Sequence, residues 1–460
     1  MAVSVTTLTE QLRALGVASR GELARLLGVS ATTVYRHLRE AERASMVVHF
    51  GRGRGTRYAV RAPLFQRASG DTPLYRVDNK GVVHQAATLT GLDRGAVLVR
   101  PPASGDLPRL MLGESGDGHF DDLPFYLQDL RPQGFLGRQY AHSLPELPDN
   151  PDHWNGNQVG GYLLDHAVDL PGDLLLGDAA VERLRHWRPA QCTPTDFPDM
   201  AEHALAGEIA GSSAGGEQPK FPAFVDGNHV LVKFSAADRT SVAAQRWHDL
   251  LVCEHLALTT LAEAGLPVAA TRLYDEGERL FLASRRFDRA GRDGRRPALS
   301  LTAVDAEFVG LGYGWQNVAN ALTELGLLDA HSQGHIGFLA AFSDWIENTD
   351  QHLGNITLQP HPAGHLVVAP AYDVLPMRHA PRQTELPPVP PFRVPVCRGP
   401  RPQWQRAGET AMVFWQRVSR DERISEGFRE LAAQRHKAVA DALNWGDSGL
   451  DTTEEDTIGW

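Results

Sequence analysis

The sequence predicts an α+β chain: a small basic unit of helices and one hairpin, then a larger two-lobed body whose second lobe is mostly helical. Three observations carry that prediction. Short apolar-periodic segments with capping residues fill the first 45 positions and give way to two β-prone runs. A glycine-rich turn, a strand and a long amphipathic helix follow one another between residues 207 and 264. From residue 334 on, apolar residues recur mainly at helical spacing.

Composition narrows the class. At 460 residues and 42% hydrophobic, the chain can bury a large core and divide into two or three domains. No apolar run reaches transmembrane length and the polar start offers no signal peptide, so a cytoplasmic location without a membrane partner is expected. Cys192, Cys253 and Cys397 stand too far apart to suggest a disulfide framework or a zinc cluster. Charge is uneven. Residues 1–62 hold ten arginines against four glutamates, which is +6, so the remainder carries −17 to reach the net −11. A basic end on an acidic body points to an anionic partner for that end alone. Among the 45 basic residues there are four lysines, Lys80, Lys220, Lys233 and Lys437, and two of them fall within one 14-residue stretch. Chance clustering is the plain account of that pair; a compact ammonium needed beside a phosphate is the sharper one.

In chain order, Leu8, Leu12 and Leu15 mark a first helix. Leu23, Ala24, Leu26 and Leu27 mark a second, capped by Ser19. After the Gly28-Val29 turn, Ser30 caps a third helix running through Val34, Leu38 and Ala41. Residues 46–60 then read as a hairpin around a glycine–arginine tip. Helix–turn–helix plus hairpin is a winged helix-turn-helix. It would present Ser30, Thr32, Thr33, Tyr35 and Arg36 to a major groove, and Arg52, Arg54 and Arg57 to phosphate or minor groove. The other use of such a unit is protein contact; its +6 charge favours DNA. Residues 63–190 predict strands at 72–77, 82–86 and 96–99 and hold no metal or nucleophile constellation.

Gly211-Ser-Ser-Ala-Gly-Gly-Glu-Gln-Pro-Lys220 has the glycine gap of a Walker A loop, but Glu217 stands where that motif requires lysine. Backbone N–H groups of Gly211, Ser212, Ser213, Ala214, Gly215 and Gly216 could still cradle phosphates. A strand, His229 to Phe234, carries Lys233, and a helix from Val242 to Ala264 carries Glu254. Singly, these are an exposed lysine and a solvated glutamate. In this order they match the N-lobe of a protein kinase, where the helix glutamate steadies the lysine on the α/β-phosphates. Leu280 to Arg289 is expected to be the strand joining the lobes. A helix over 334–348 then opens into Asn348-Thr-Asp-Gln-His-Leu-Gly-Asn355, with Asp350 and Asn355 at the spacing of a kinase catalytic loop. Two apolar runs, 356–358 and 366–369, read as a hairpin, and Asp373 follows. One carboxylate to orient a hydroxyl, and an amide plus a second carboxylate for Mg²⁺, are what phosphoryl transfer needs. Pro381 to Pro402 predicts an irregular loop, about 410–443 a helical segment, and the acidic end from Asp447 no fold.

Over roughly residues 120–445 these motifs resemble the HipA-like serine/threonine kinases, toxins of type II toxin–antitoxin systems. The added N-terminal unit resembles the HipH/YjjJ-like subfamily, in which a helix–turn–helix is fused to the kinase. The resemblance implies ATP and Mg²⁺ as cofactors and Asp350 as catalytic base. Asn355 and Asp373 would be the metal ligands, and Lys233, with the 211–220 loop, would hold the ATP phosphates. Ser212 or Ser213 would be the autophosphorylated serine, and His352 would support the ATP site through the loop backbone. It implies a translation component such as an aminoacyl-tRNA synthetase as protein substrate, DNA as partner for autoregulation or self-neutralisation, and nucleoid association when DNA-bound; a homodimer is a further expectation. The domains expected are 1–62, winged helix-turn-helix; 63–285, a mixed α/β kinase part; 286–446, a helical C-lobe; and 447–460, an acidic tail. Two other readings stay open: a transcription regulator whose kinase-like body senses nucleotide, and a small-molecule kinase.

Overall fold

The computed structural model describes residues 4–66, 70–103, 107–189, 191–206, 218–238, 240–382 and 384–448. Gly211, Ser212, Ser213, Ala214, Gly215 and Gly216 lie outside the described residues.

Three serines set the start. Ser4, Ser19 and Ser30 each accept a backbone N–H three residues on, and each opens a helix: α1 (Val5–Leu15), α2 (Arg20–Leu27) and α3 (Ala31–Arg43). Glu22 returns the bond to Ser19 in a capping box. Strands β1 (Val17–Ala18), β2 (Val47–Phe50) and β3 (Arg57–Val60) form an antiparallel sheet with β3 in the middle. One face of the hairpin closes the core of Leu8, Leu12, Leu23, Val34 and Leu38 with Val47, Tyr58 and Val60. Alternation sends Val48, Phe50 and Ala59 to the other face, against Leu92 and Leu98 of the next unit.

That next unit is an antiparallel sheet of β4 (Asp71–Val77), β5 (Val83–Gly91), β6 (Val97–Arg100), β7 (His119–Phe120) and β8 (Leu174–Leu176), in the order β7-β6-β5-β4-β8. The three expected strands are present, the second extending to Gly91. Helices α4 (Phe125–Gln128), α5 (Gly134–His142), α6 (Gly156–Asp165) and α7 (Asp178–His186) accompany it.

After α8 (Phe197–Leu205) comes a second sheet. Strands β9 (Lys220–Val225) and β10 (Asn228–Phe234) form a hairpin, α9 (Val242–Glu263) follows, and β11 (Thr271–Glu276) and β12 (Arg279–Arg285) complete the order β11-β12-β10-β9. Phe221, Val232, Phe234 and Phe281 bury one face against Phe197, Ala201 and Ala204 of α8. Lys233 pairs directly opposite Lys220, so both lysines take the other face.

A short hairpin, β13 (Arg289–Ala290) and β14 (Gly294–Arg295), leads to β15 (Leu299–Ser300), which pairs with β16 (Thr357–Pro360); β16 pairs in turn with β17 (Leu366–Val368), giving the expected hairpin. Around it lie α10 (Leu301–Phe308), α11 (Trp315–Glu324), α12 (Ala330–Trp345), α13 (Arg401–Arg420) and α14 (Glu426–Ser448). Two boundaries differ from expectation. Helix α12 starts four residues early because Asp329 caps it. The single segment expected at about 410–443 is two helices. The first starts at Arg401, since Pro402 in the first turn forgoes an N–H that has no helical partner. Residues 386–400 carry no helix or strand, as the proline-rich stretch predicts. Among the described residues no helix is long and apolar enough to cross a membrane.

Candidate active site

Lys233 occupies the buried face of β10, and its ammonium uses its three donors on two carboxylates. It reaches Glu254 Oε1 and Oε2 at 2.8 Å each and Asp373 Oδ1 at 2.6 Å. Glu254 comes from the middle of α9, which packs on the sheet; Asp373 comes from 140 residues away in the chain. The segment before Asp373 is tied beneath the sheet, because Ala371 exchanges backbone hydrogen bonds with Pro267 and Ala269, just past α9. Asp373 itself has φ 57°, a left-handed backbone unusual for a side-chain-bearing residue.

Electrostatics follow from this arrangement. Burial works against the Lys233 ammonium, but Asp373 and then Glu254 hold its pKa above the ordinary value. Burial raises the pKa of Glu254, only partly offset by Lys233. For Asp373 burial is outweighed by Lys233 and then Lys220, and the pKa is lowered. The two carboxylates diverge because Asp373 adds its negative charge against Glu254, whereas Lys233, Lys220 and His352 all favour the charged form of Asp373.

The polar loop after α12 lies beside them. Asp350 N–H donates to Asn348 Oδ1 at 3.0 Å, an Asx turn that ends the helical path. Asn355 Nδ2 donates to Asp350 O at 2.9 Å, which leaves Asn355 Oδ1 as the atom free to take a cation. Trp315 Nε1 donates to His352 O, so His352 holds the loop through its backbone, while its ring, half exposed, lies 3.8 Å from Asp350. Tyr372 Oη bonds Thr357 Oγ1 and donates to Gly354 O, locking Asp373's neighbour onto the loop that carries Asn355. Among the described residues no group of three or more His, Cys, Asp or Glu could cage a metal. One amide and one carboxylate suit Mg²⁺, which completes its shell with water and phosphate oxygens.

Lys220, which the sequence already singled out with Lys233, is 1% exposed, lies opposite Lys233 and bears on both carboxylates. The roles of two residues escaped the sequence reading. Tyr372 directly precedes Asp373 and has no motif of its own. Glu347 (φ 58°) sits just before the loop and accepts from Arg435 of α14 and His379 Nε2, both at 2.7 Å; nothing in the sequence links these partners.

At the other end of the chain, Thr32, Tyr35 and Arg36 are exposed on α3 and Thr33 is half-buried. Ser30 is occupied as the helix cap. Arg52 and Arg54 are exposed at the hairpin tip, while Arg57 is half-buried near Glu22.

A family model described as YjjJ-like toxin, middle domain, matches residues 68–185, and one described as HipA-like C-terminal domain matches 212–440. Over 445 residues the chain is 36% identical to Toxin YjjJ of Escherichia coli (strain K12), spanning 92% of this chain and 95% of that one. The chain belongs to the YjjJ-like toxin family. A solved chain from the Shewanella oneidensis MR-1 toxin–antitoxin complex of HipA, HipB and operator DNA aligns over 83% of this YjjJ-like chain and 100% of its own length. Its TM-score of 0.56 at 16% identity makes this a likeness of fold.

Proposed function

We propose that this chain is an ATP- and Mg²⁺-dependent serine/threonine-protein kinase of the HipA toxin type, with an N-terminal winged helix-turn-helix that binds DNA. One observation carries the reading: Lys233 holds Glu254 and Asp373 together beside the loop of Asp350 and Asn355. In this reading Lys233, steadied by Glu254, turns the donor it holds on Asp373 to the phosphates of ATP, with Lys220 adding a second positive charge. Asp350, whose side chain is 43% exposed, orients the attacking hydroxyl and takes its proton. Asn355 Oδ1 and the Asp373 carboxylate would hold Mg²⁺, which would supply charge neutralisation for the transferring phosphoryl group. The glycine-rich loop would cover the phosphates, with Ser212 or Ser213 as the autophosphorylated residue. A translation component such as an aminoacyl-tRNA synthetase is the proposed target.

For DNA, the support is the +6 charge of residues 1–62, the exposed Arg52 and Arg54, and the structural relative that stands in a complex with HipB and operator DNA. The test is phosphoproteomics of cells expressing wild type beside Asp350→Ala, with labelled ATP and Mg²⁺ supplied to the purified chain in parallel. Label on the chain and on a protein target, absent from the variant, is the expected result. ATP binding without any transfer would make the body a nucleotide sensor, and label in a metabolite would make it a small-molecule kinase.

A further inference from the structure

A cavity of about 530 Å³ lies where the hairpin β13–β14 docks on the turn between β4 and β5. Backbone of the two units meets directly there. Arg295 N–H donates to Asp78 O at 2.9 Å. A Cβ on Gly294 would fall 2.2 Å from Asn79 O, and one on Gly81 (φ +85°) 2.9 Å from Asp293 Cβ. These glycines let two units that are far apart in sequence meet without a gap.

The lining is strongly cationic. Lys80, Arg185, Arg188, Arg292 and Arg295 contribute to it, and the one carboxylate among the lining residues is Asp293. Arg185 pairs with the exposed Glu182, and among the described residues Arg188 bonds the carbonyls of Arg185 and Trp187 and no carboxylate. Arg289, also in the lining, pairs through Nη2 with Asp169 and through Nη1 with Asp288, and its Nε alone goes without a partner among the described residues. Arg295 makes neither bond. It is 3% exposed, donates from Nη2 to Val168 O at 2.9 Å, and its Nη1 has no partner among the described residues. Burial, and then the neighbouring Arg289 and Arg286, push its pKa down to about 9. Asp169 and Asp288 favour its charge from nearby, but neither bonds it, so Nη1 still has a donor to offer an anion. The wall also carries Trp187, half-buried, whose ring lies parallel to that of His229 at 6.1 Å and 12°.

We propose that this cavity is a nucleoside-polyphosphate site separate from the Lys233 cleft, the phosphates lying among Lys80, Arg185, Arg188, Arg292 and Arg295 and the base against Trp187. Its volume falls in the range of roughly 300–1,000 Å³ usual for small-ligand pockets. Guanidinium forks suit phosphate oxygens, and an indole face suits a base. His229 and Lys233 stand four residues apart on β10, so the two sites are separated by about 13 Å along the strand. A volume of about 530 Å³ suits a single nucleotide rather than a strand of nucleic acid.

The test is isothermal titration of the full-length chain with GTP at low salt in EDTA. The carrier is a Lys233→Met/Glu254→Gln chain, which removes the Lys233 ammonium without stranding a charged Glu254. One GTP per chain is expected to remain. Adding Lys80→Glu and Arg292→Glu, both exposed side chains, is expected to weaken it about tenfold or more, and Trp187→Ala to weaken GTP but not inorganic tripolyphosphate. The proposal is overturned if the carrier binds no GTP, if charge reversal leaves the affinity unchanged, if tripolyphosphate binds as tightly as GTP, or if an eight-nucleotide single strand displaces it.

Discussion

Lys233→Met is the most exacting perturbation because the same ammonium holds two carboxylates. At 2.8 and 2.6 Å each attraction is worth about 6 kcal/mol gross for an effective dielectric near 20. Desolvating three ions at several kcal/mol each cancels most of that sum, so the intact cluster adds little net stability. Removing the cation is different, because it leaves Glu254 buried and charged with no ammonium bonded to it and only Lys220 to oppose it. The cost is capped by protonation. Taking a carboxyl of ordinary pKa 4.5 to its neutral form costs about 3.4 kcal/mol at pH 7 and about 0.7 kcal/mol at pH 5. Asp373, more exposed, adds less. In the variant the folded chain keeps a proton that the unfolded chain has lost, so the deficit relative to wild type grows as pH rises above about 4.5. Urea unfolding at pH 5 and pH 7 reads this directly, as a loss of about 3 kcal/mol at pH 7 that shrinks to under about 1 at pH 5. Adding Glu254→Gln is expected to recover most of the stability and none of the phosphotransfer. A deficit equal at both pH values would refute the reasoning.

Other outcomes follow from the same geometry. Asp350→Ala, on a side chain 43% exposed, should leave the melting temperature unchanged while phosphotransfer falls by about 10²–10⁴-fold; a comparable loss of stability would make its role structural. Arg52→Ala with Arg54→Ala should weaken duplex binding and lower the slope of log K against log salt by about 1.8, and an unchanged slope in filter binding would take the hairpin tip off the DNA. Glu347→Ala strands Arg435 and His379 in the core, with an expected loss of about 3–5 kcal/mol in urea unfolding; a loss under about 1 would mean that the anchor is dispensable. Burial holds His229 and His379 below the ordinary 6.5, so the unfolded chain takes protons first and stability should fall as pH drops below about 6.5; a flat calorimetric melting temperature from pH 8 to 5.5 would contradict this.

Local chemistry made much of the fold legible. Ser19 and Ser30 name their helices because a cap needs only its next three residues, and 47–60 reads as a hairpin because glycines interrupt β-prone runs. Strand β8 was missed: Leu174–Leu176 is three leucines whose partner, β4, lies about a hundred residues earlier, and no periodicity fits in three positions. The split at 421–425 was missed because its anchor is remote: Asp249, on α9, accepts from both the backbone N–H and the hydroxyl of Ser425.

The order and spacing of Lys233, Glu254, Asp350, Asn355 and Asp373 were set by the sequence alone, since each sits in a segment whose local form its neighbours dictate. Their meeting was decided only by tertiary structure. So were Lys220 facing Lys233, Glu347 clasping Arg435, and the basic cavity under β13–β14. Whether two charges lie 3 or 30 Å apart depends on which faces pack together, and that is a property of the whole buried surface rather than of any stretch of chain.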